Sequence, residues 1–312
     1  MNMFGLEREP ARPTNPRREH YGEFYGLRLP HQRDDLPTVA VVGNCQAESL
    51  RILLDSTGMV NSFRIPPIHE WTQEDVCLMH LVLNTVDILV MQPVRDDYRG
   101  LVCGTTQLAA FLPAAAQVVT FPVLRFDGLM PYHAIIRAPL DPSLNPPVTP
   151  YHDLRILATV SGIPEAMSVE PSDAALRTCA AMSISELRGR ETIHDTVIIS
   201  DYVETAPVWH TINHPDNSTL MVLARRVMDA LGLPGDIQDP DRELLGGLQA
   251  PVDAQAARVF GVSVTGRTEW SSASMEEIEQ SHLEFYREHP SVVIAGLERH
   301  AERLRVLGLV GT

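Results

Sequence analysis

The stretch from residue 38 to residue 58 constrains the fold of this chain more than any other. Thr38-Val-Ala-Val-Val42 is a short apolar, β-branched run that breaks at Gly43-Asn44-Cys45-Gln46, and an amphipathic pattern with Leu50, Leu53 and Leu54 follows before Gly58. The pattern predicts a strand, a tight turn and a helix. Gly43 permits a sharp turn, and the first backbone N–H groups of the helix, lacking intrahelical partners, point at whatever lies at its start. Cys45 occupies that place. A helix N-terminus stabilises a thiolate, and the same N–H groups hold an oxyanion or a phosphate, so one turn offers a nucleophile and an oxyanion hole together. The competing expectation is a buried cysteine that fills space at a strand end.

The segments that follow repeat the alternation. Ser62 to Ile65 reads as a second strand closed by Pro66 and Pro67, and a helix is expected from Thr72 with Val76, Met79, His80 and Leu83 on one face. Asp87-Ile-Leu-Val-Met91 is continuously apolar, as a strand covered on both faces should be, and it ends in the polar cluster from Gln92 to Arg99. A weaker helix over 104–112 precedes a further strand over Gln117 to Phe121, with Arg125 just beyond. The expectation is an α/β fold with a mostly parallel sheet. Ligands of such sheets sit outside the C-terminal strand ends, where Cys45, Gln92, Arg95 and Arg125 fall.

Residues 1–36 are rich in Pro, Arg and Glu without a sustained period and read as an extension, partly disordered or laid over the surface. After the α/β core of 37–127 the rhythm changes, and residues 128–208 carry Pro-rich loops and a helix from Ser172 to Arg188, which reads as a cap or insertion. Residues 209–312 begin with the polar knot from Trp209 to Pro215. A helix from Ser218 to its stop at Gly232 follows, then a Ser274–Glu277 capping box, a break at Pro290 and a last helix from Ser291 to Leu307, completing the core.

A cysteine nucleophile needs a base, and histidine titrates near neutrality. His214, in Asn213-His214-Pro215 before a helix, is the first candidate and His210 the second; a histidine that serves only as the helix cap is the alternative. Their spacing also suits a metal site, but no Glu follows His210, Pro215 interrupts the helix and no third ligand is evident, so no metal is expected. Gln92 is a candidate second donor to an oxyanion, and Arg95 and Arg99 are candidates for phosphate, unless Arg95 pairs with Asp96 or Asp97.

Several classes fall away. Neither G-x-G-x-x-G nor G-K-[ST] occurs at the Gly43 turn, which argues against a nucleotide hydrolase or a Rossmann dehydrogenase. All 25 Lys and Arg positions are Arg, so a lysine Schiff base is excluded. A net charge of −15 argues against general nucleic-acid binding. Four widely spaced cysteines suggest neither a disulfide framework nor a zinc cluster, and no apolar stretch is long enough for a membrane span, so a cytoplasmic protein without membrane insertion is expected.

Taken together, Val41-Val-Gly-Asn-Cys-Gln-Ala47, Gln92-Pro93 after the third strand and Asn213-His-Pro215 make the chain resemble the WcbI-like family of bacterial polysaccharide-biosynthesis enzymes, over about residues 38–310. The resemblance implies a coenzyme A-binding acetyltransferase with an SGNH-like parallel sheet flanked by helices and an inserted, mostly helical cap. The chain departs from ordinary SGNH hydrolases in carrying Cys45 where they have the Ser of Gly-Asp-Ser, and it lacks their Gly-x-Asn-Asp block and Asp-x-x-His; Asp201 is the candidate orienting acid. Carried onto this sequence, the resemblance makes Cys45 and His214 catalytic, and it assigns Asn44, Gln46, Gln92 and Asn213 to the oxyanion or substrate. Arg95, Tyr98, Arg125, Tyr132 and His210 are then expected at the cofactor. The expected partners are acetyl-CoA as acyl donor and a carbohydrate acceptor, with O-acetylation of a sugar hydroxyl as the reaction. A Cys-dependent SGNH-like esterase and a non-catalytic CoA- or sugar-binding protein remain the alternatives.

Overall fold

The computed structural model describes residues 15–30, 33–139 and 141–310, and the chain divides into two compact units, the first ending at Val119 and the second beginning at Thr120. The sequence pattern instead places a boundary after residue 127. In chain order the first unit holds α1 (Pro16–His20), β1 (Thr38–Val42), α2 (Cys45–Asp55), β2 (Asn61–Ser62), α3 (Gln73–Leu83), β3 (Ile88–Met91), α4 (Thr105–Ala109) and β4 (Gln117–Thr120), whose last residue enters the second unit. The strands form one four-stranded parallel sheet in the order β2-β1-β3-β4, flanked by helices. β1 pairs in parallel with β2 and with β3, Val39 facing Ile88 and Val42 facing Met91. Val39 to Val42 and the whole of β3 are buried, which is why these two strands read as unbroken apolar runs.

α3 starts in a capping box in which Thr72 accepts from the Asp75 N–H while the Asp75 carboxylate accepts from Thr72, and it buries Val76, Met79 and Leu83. Two strands differ from expectation. β2 stops at Ser62, ahead of the N–H-lacking Pro66 and Pro67, although Phe63 and Ile65 remain buried. β4 is half exposed, because an edge position leaves Gln117 and Val118 towards solvent. The described part of the N-terminal extension is ordered against the first unit: Phe24 and Tyr25 join the core with Trp71 and Met79, Tyr25 Oη donates to Asp75 Oδ1 at 2.6 Å, and Arg17 Nη2 lies 3.1 Å from Asp75 Oδ2. The remainder of that extension lies outside the described residues.

The second unit contains β5 (His133–Ala134), β6 (His152–Asp153), α5 (Leu154–Val160), α6 (Asp173–His194), α7 (Ser200–Val203), α8 (Asn217–Leu231), α9 (Ala254–Phe260), α10 (Met275–Glu288), α11 (Pro290–Arg299) and α12 (Ala301–Val306). β5 and β6 pair antiparallel within the segment expected as a cap. α5 packs on α10 and α11, and α6 packs on α7, α9 and α12. Gly296 allows the close approach of α11, since a Cβ there would lie 2.5 Å from Ile136 Cδ1 and 2.9 Å from Leu157 Cδ2.

Ser172 caps α6 as expected, but the helix runs on to His194. The buried Glu191 in its last turn accepts from the Ile199 and Ser200 N–H groups, a partner the local pattern does not show. The expected last helix is two, α11 and α12, parted at His300. α8 buries Leu220, Leu223, Val227 and Leu231 and ends at Gly232 in the left-handed conformation, as its spacing predicts.

Candidate functional site

β1 delivers Gly43 to a turn that is braced from the neighbouring strand. Asn44 is the N-cap of α2, its Oδ1 accepting the Gln46 N–H at 2.9 Å, and Cys45 is the first helical residue. Gln92, directly after β3, accepts the Asn44 N–H on Oε1 at 2.9 Å and donates from Nε2 to Gln46 Oε1 at 2.9 Å. Gln46 and Gln92 are 0% and 2% exposed, so these two bonds are made away from water. The Gly43 carbonyl accepts the Ile68 N–H at 2.8 Å, and a Cβ on Gly43 would lie 2.6 Å from Gln92 Oε1. The glycine is thus favoured by the closeness of Gln92, its φ lying outside the left-handed region, and Gln92, expected as a donor to an oxyanion, spends an amide N–H on holding the turn.

Cys45 is half-buried. Burial pushes its thiol pKa up; the Cys45 and Gln46 backbone N–H groups favour the thiolate but do not offset the lost hydration. The helix start acts on the thiolate in the expected direction, but burial outweighs it and leaves the thiol pKa above its ordinary value. Among the residues beyond β3, Arg95 is exposed, Tyr98 packs on the first unit's core, and Arg99, in the left-handed region at φ 57°, donates to the His69 carbonyl at 2.5 Å. Asp97 accepts from Gln107 Nε2 at 2.8 Å.

The second unit holds the histidines in a tight turn. The His210 N–H donates to the His214 carbonyl at 2.9 Å and the His214 N–H to the Thr211 carbonyl at 3.2 Å. Trp209 is buried with its indole N–H on Thr219 Oγ1 at 2.9 Å, and Arg267, far along the chain, donates to the Trp209 and His210 carbonyls at 2.7 and 2.8 Å. Asp216 caps α8 by accepting the Thr219 N–H, so the cap is neither His214 nor Ser218. Burial, then the neighbouring His210, lowers the His214 pKa, which leaves a neutral imidazole able to take a proton.

Asn213 Oδ1 accepts from Tyr151 Oη at 2.6 Å and from Thr211 Oγ1 at 3.3 Å, and the Tyr151 ring stacks on Trp270 with centroids 5.5 Å apart. His210, 7% exposed, has Nε2 3.0 Å from Glu243 Oε2. Asp201 is not an orienting acid for either histidine, since Arg226 holds both its oxygens at 2.5 and 2.9 Å. Tyr132 is buried beneath the Arg155 guanidinium, 4.2 Å from the ring centroid, and burial pushes its pKa up to about 12. Arg125 is half-buried in the loop after β4. The sequence pattern misses Tyr151, Glu243 and Arg267, whose partners lie tens of residues away and leave no local spacing to read.

The first unit therefore gathers Asn44, Cys45, Gln46 and Gln92 around one helix start, and the second gathers His210, Asn213 and His214 in one turn. A search of curated proteins finds none that matches. A solved structure of WcbI, described as a novel polysaccharide biosynthesis enzyme in its native form without a disulfide bond between CoA and one of its cysteines, shares the fold. The TM-score is 0.74 at 20% identity, over 88% of this chain and 97% of that one. The profile of the family described as polysaccharide biosynthesis enzyme WcbI matches residues 38–236, a span that takes in the Cys45 turn, Gln92 and Asn213-His214-Pro215. With most of its length covered by that match, the chain belongs to the WcbI family of polysaccharide biosynthesis enzymes.

Proposed function

We propose that this protein is an acetyl-CoA-dependent O-acetyltransferase that esterifies a sugar hydroxyl in surface or capsular polysaccharide biosynthesis. The observation that carries the reading is the turn from Gly43 to Gln46, which sets a thiol and two backbone N–H groups at the start of α2. The solved relative is described as lacking a disulfide bond between CoA and one of its cysteines, words that pair that cysteine with the CoA sulfur, the atom that bears an acyl group. In this reading Cys45 stands in that place. The thioester carbonyl then lies beside amides suited to the negative charge that grows on its oxygen.

Two routes fit these residues. In direct transfer the sugar oxygen attacks the thioester carbon, the C–S bond breaks, and the hydroxyl proton passes through a base to the departing sulfur. His214 is the base in this reading, because its lowered pKa keeps the imidazole neutral. In the covalent route the Cys45 sulfur, its proton first removed by the base because its pKa is raised, attacks the thioester carbon and CoA leaves as the thiol; the sugar oxygen then attacks the acyl-Cys45 carbon, and the hydroxyl proton passes to the departing Cys45 sulfur. Transfer unchanged in Cys45→Ala would exclude the covalent route, and His214→Ala is expected to slow either one.

The first test is calorimetric titration of the whole chain with CoA and acetyl-CoA. Micromolar binding followed by acetyl transfer to a polysaccharide precursor supports the reading; no binding at millimolar ligand refutes it. Release of p-nitrophenol from its acetate ester by a Cys45-dependent but CoA-independent reaction would favour a hydrolase.

A further inference from the structure

Among the described residues of the second unit, three guanidinium nitrogens are buried with no hydrogen-bond partner: Nε of Arg125, and Nε and Nη2 of Arg190. Arg125 lies in the loop after β4, Arg190 on α6 and Arg299 at the end of α11, so three segments distant in sequence bring cations near one another. Burial lowers the Arg125 pKa to about 10, and the charges of Arg190 and Arg299 push in the same direction, against smaller opposing effects of Asp127 and Glu186.

Asp127, Glu186 and Glu191 offset part of this charge, but none of them accepts from the three orphaned nitrogens. Asp127 Oδ2 is held by Arg303 at 2.7 Å, while its Oδ1 is buried without a hydrogen-bond partner. Glu191 accepts from the Ile199 and Ser200 amides at 2.7 and 2.8 Å and from the Ser200 hydroxyl at 2.6 Å. Glu186 reaches Arg190 only through Nη1 at 3.7 Å, with its own side chain 67% exposed.

Buried donors without acceptors are rare in folded proteins, and like charges held together in a partly dry site repel. One anion with several acceptor oxygens removes both penalties, and the planar fork of arginine matches phosphoryl oxygens. Arg299 is exposed and the Arg190 side chain is 27% exposed, which leaves a way in. We propose that Arg125, Arg190 and Arg299 bind a phosphoryl group carried by a small-molecule ligand. Only the identity of the carrier rests on the acetyltransferase reading: CoA bears this group as its 3′-phosphate and pyrophosphate, and a nucleotide-activated sugar bears it as a diphosphate.

The test is calorimetry on the full chain in phosphate-free buffer, with CoA, dephospho-CoA, UDP and inorganic pyrophosphate as probes. At least one probe is expected to bind, and Arg125→Gln and Arg190→Gln are each expected to weaken it by about tenfold or more. A preference for CoA over dephospho-CoA that disappears in the variants assigns the 3′-phosphate. Equal affinity for those two, with UDP or pyrophosphate also weakened, assigns a diphosphate. Should CoA fail to bind, the acetyltransferase reading falls, while pyrophosphate or UDP binding that is lost in the variants still supports the site. Unchanged affinity in both variants, or no binding of any probe at millimolar concentration, overturns it. Thermal melting without anion is the second readout: removing a half-buried cation whose Nε and Nη2 have no partner should leave Arg190→Gln at least as stable as the wild type, and a fall of several degrees would assign a structural role instead and overturn the site.

Discussion

Replacing Gly43 by Ala tests whether the Cys45 turn is built around Gln92. The added carbon would lie 2.6 Å from Gln92 Oε1 and 3.1 Å from Ala47 Cβ, inside the range of ordinary contact. A flexible side chain would swing aside at little cost, but Gln92 is tied at both ends of its amide, to the Asn44 N–H and to Gln46 Oε1, at 2.9 Å each. Forcing an extra carbon into a packed site costs about 1–3 kcal/mol. Each buried polar group left unpaired adds about 1–3 kcal/mol. With one polar group left unpaired, Gly43→Ala should therefore destabilise the first unit by about 2–6 kcal/mol.

Gln92→Ala removes both bonds and the closest contacts of the new methyl, leaving only Ala47 Cβ at 3.1 Å for it to press on. In that background Gly43→Ala should cost less than about 1 kcal/mol, a coupling large enough for a double-mutant cycle to resolve. Hydrogen exchange of the β1 and β3 amides, read by mass spectrometry, gives the opening free energy of this unit apart from the second. Equal cost of Gly43→Ala in both backgrounds, or a cost within about 0.5 kcal/mol of zero in the wild type, would refute the reasoning.

Three further outcomes are expected. Burial lowers the pKa of His133 and His282 to about 4 and of His152 and His300 to about 3. Since the unfolded value is near 6.5, protons bind the unfolded chain first. Stability should hold above that pH and fall below it, by up to about 1.4 kcal/mol per pH unit for each neutral histidine; melting temperatures that stay flat from pH 7 to pH 5 would contradict this. Iodoacetamide at neutral pH should modify exposed Cys77 before half-buried Cys45, whose raised pKa keeps it a thiol, and peptide mapping that finds Cys45 modified first would show that the helix start outweighs burial. Arg303→Met strands the buried Asp127 carboxylate and should cost about 3–5 kcal/mol in chemical denaturation, with part of the loss recovered on adding Asp127→Asn; no recovery would mean that the carbonyl bonds of Arg303, not its charge, are what matters.

The features legible in the sequence are those whose cause is local. β1 and β3 are apolar on both faces because helices cover them, and that burial writes itself into consecutive residues. Asn44 and Cys45 fall at the start of α2, Thr72 and Ser274 open capping boxes, and Gly232 stops α8, all within a turn of where the spacing predicts. The family resemblance was legible for the same reason, since it rests on short runs at strand ends. What the pattern missed has partners far away: Asp75 draws Arg17 and Tyr25 onto the first unit, Glu191 extends α6, Arg226 takes Asp201, and Glu243 meets His210.

By itself, then, the sequence determined the alternation of strand and helix, the place of Cys45 at a helix start, and the family, because periodicity, capping and turn chemistry act between neighbours. Only the tertiary structure decided the protonation of Cys45, the bracing duty of Gln92 and the clustering of Arg125, Arg190 and Arg299. Desolvation and charge repulsion depend on what surrounds a group in space, and for these residues the surroundings come from segments the chain brings together only on folding.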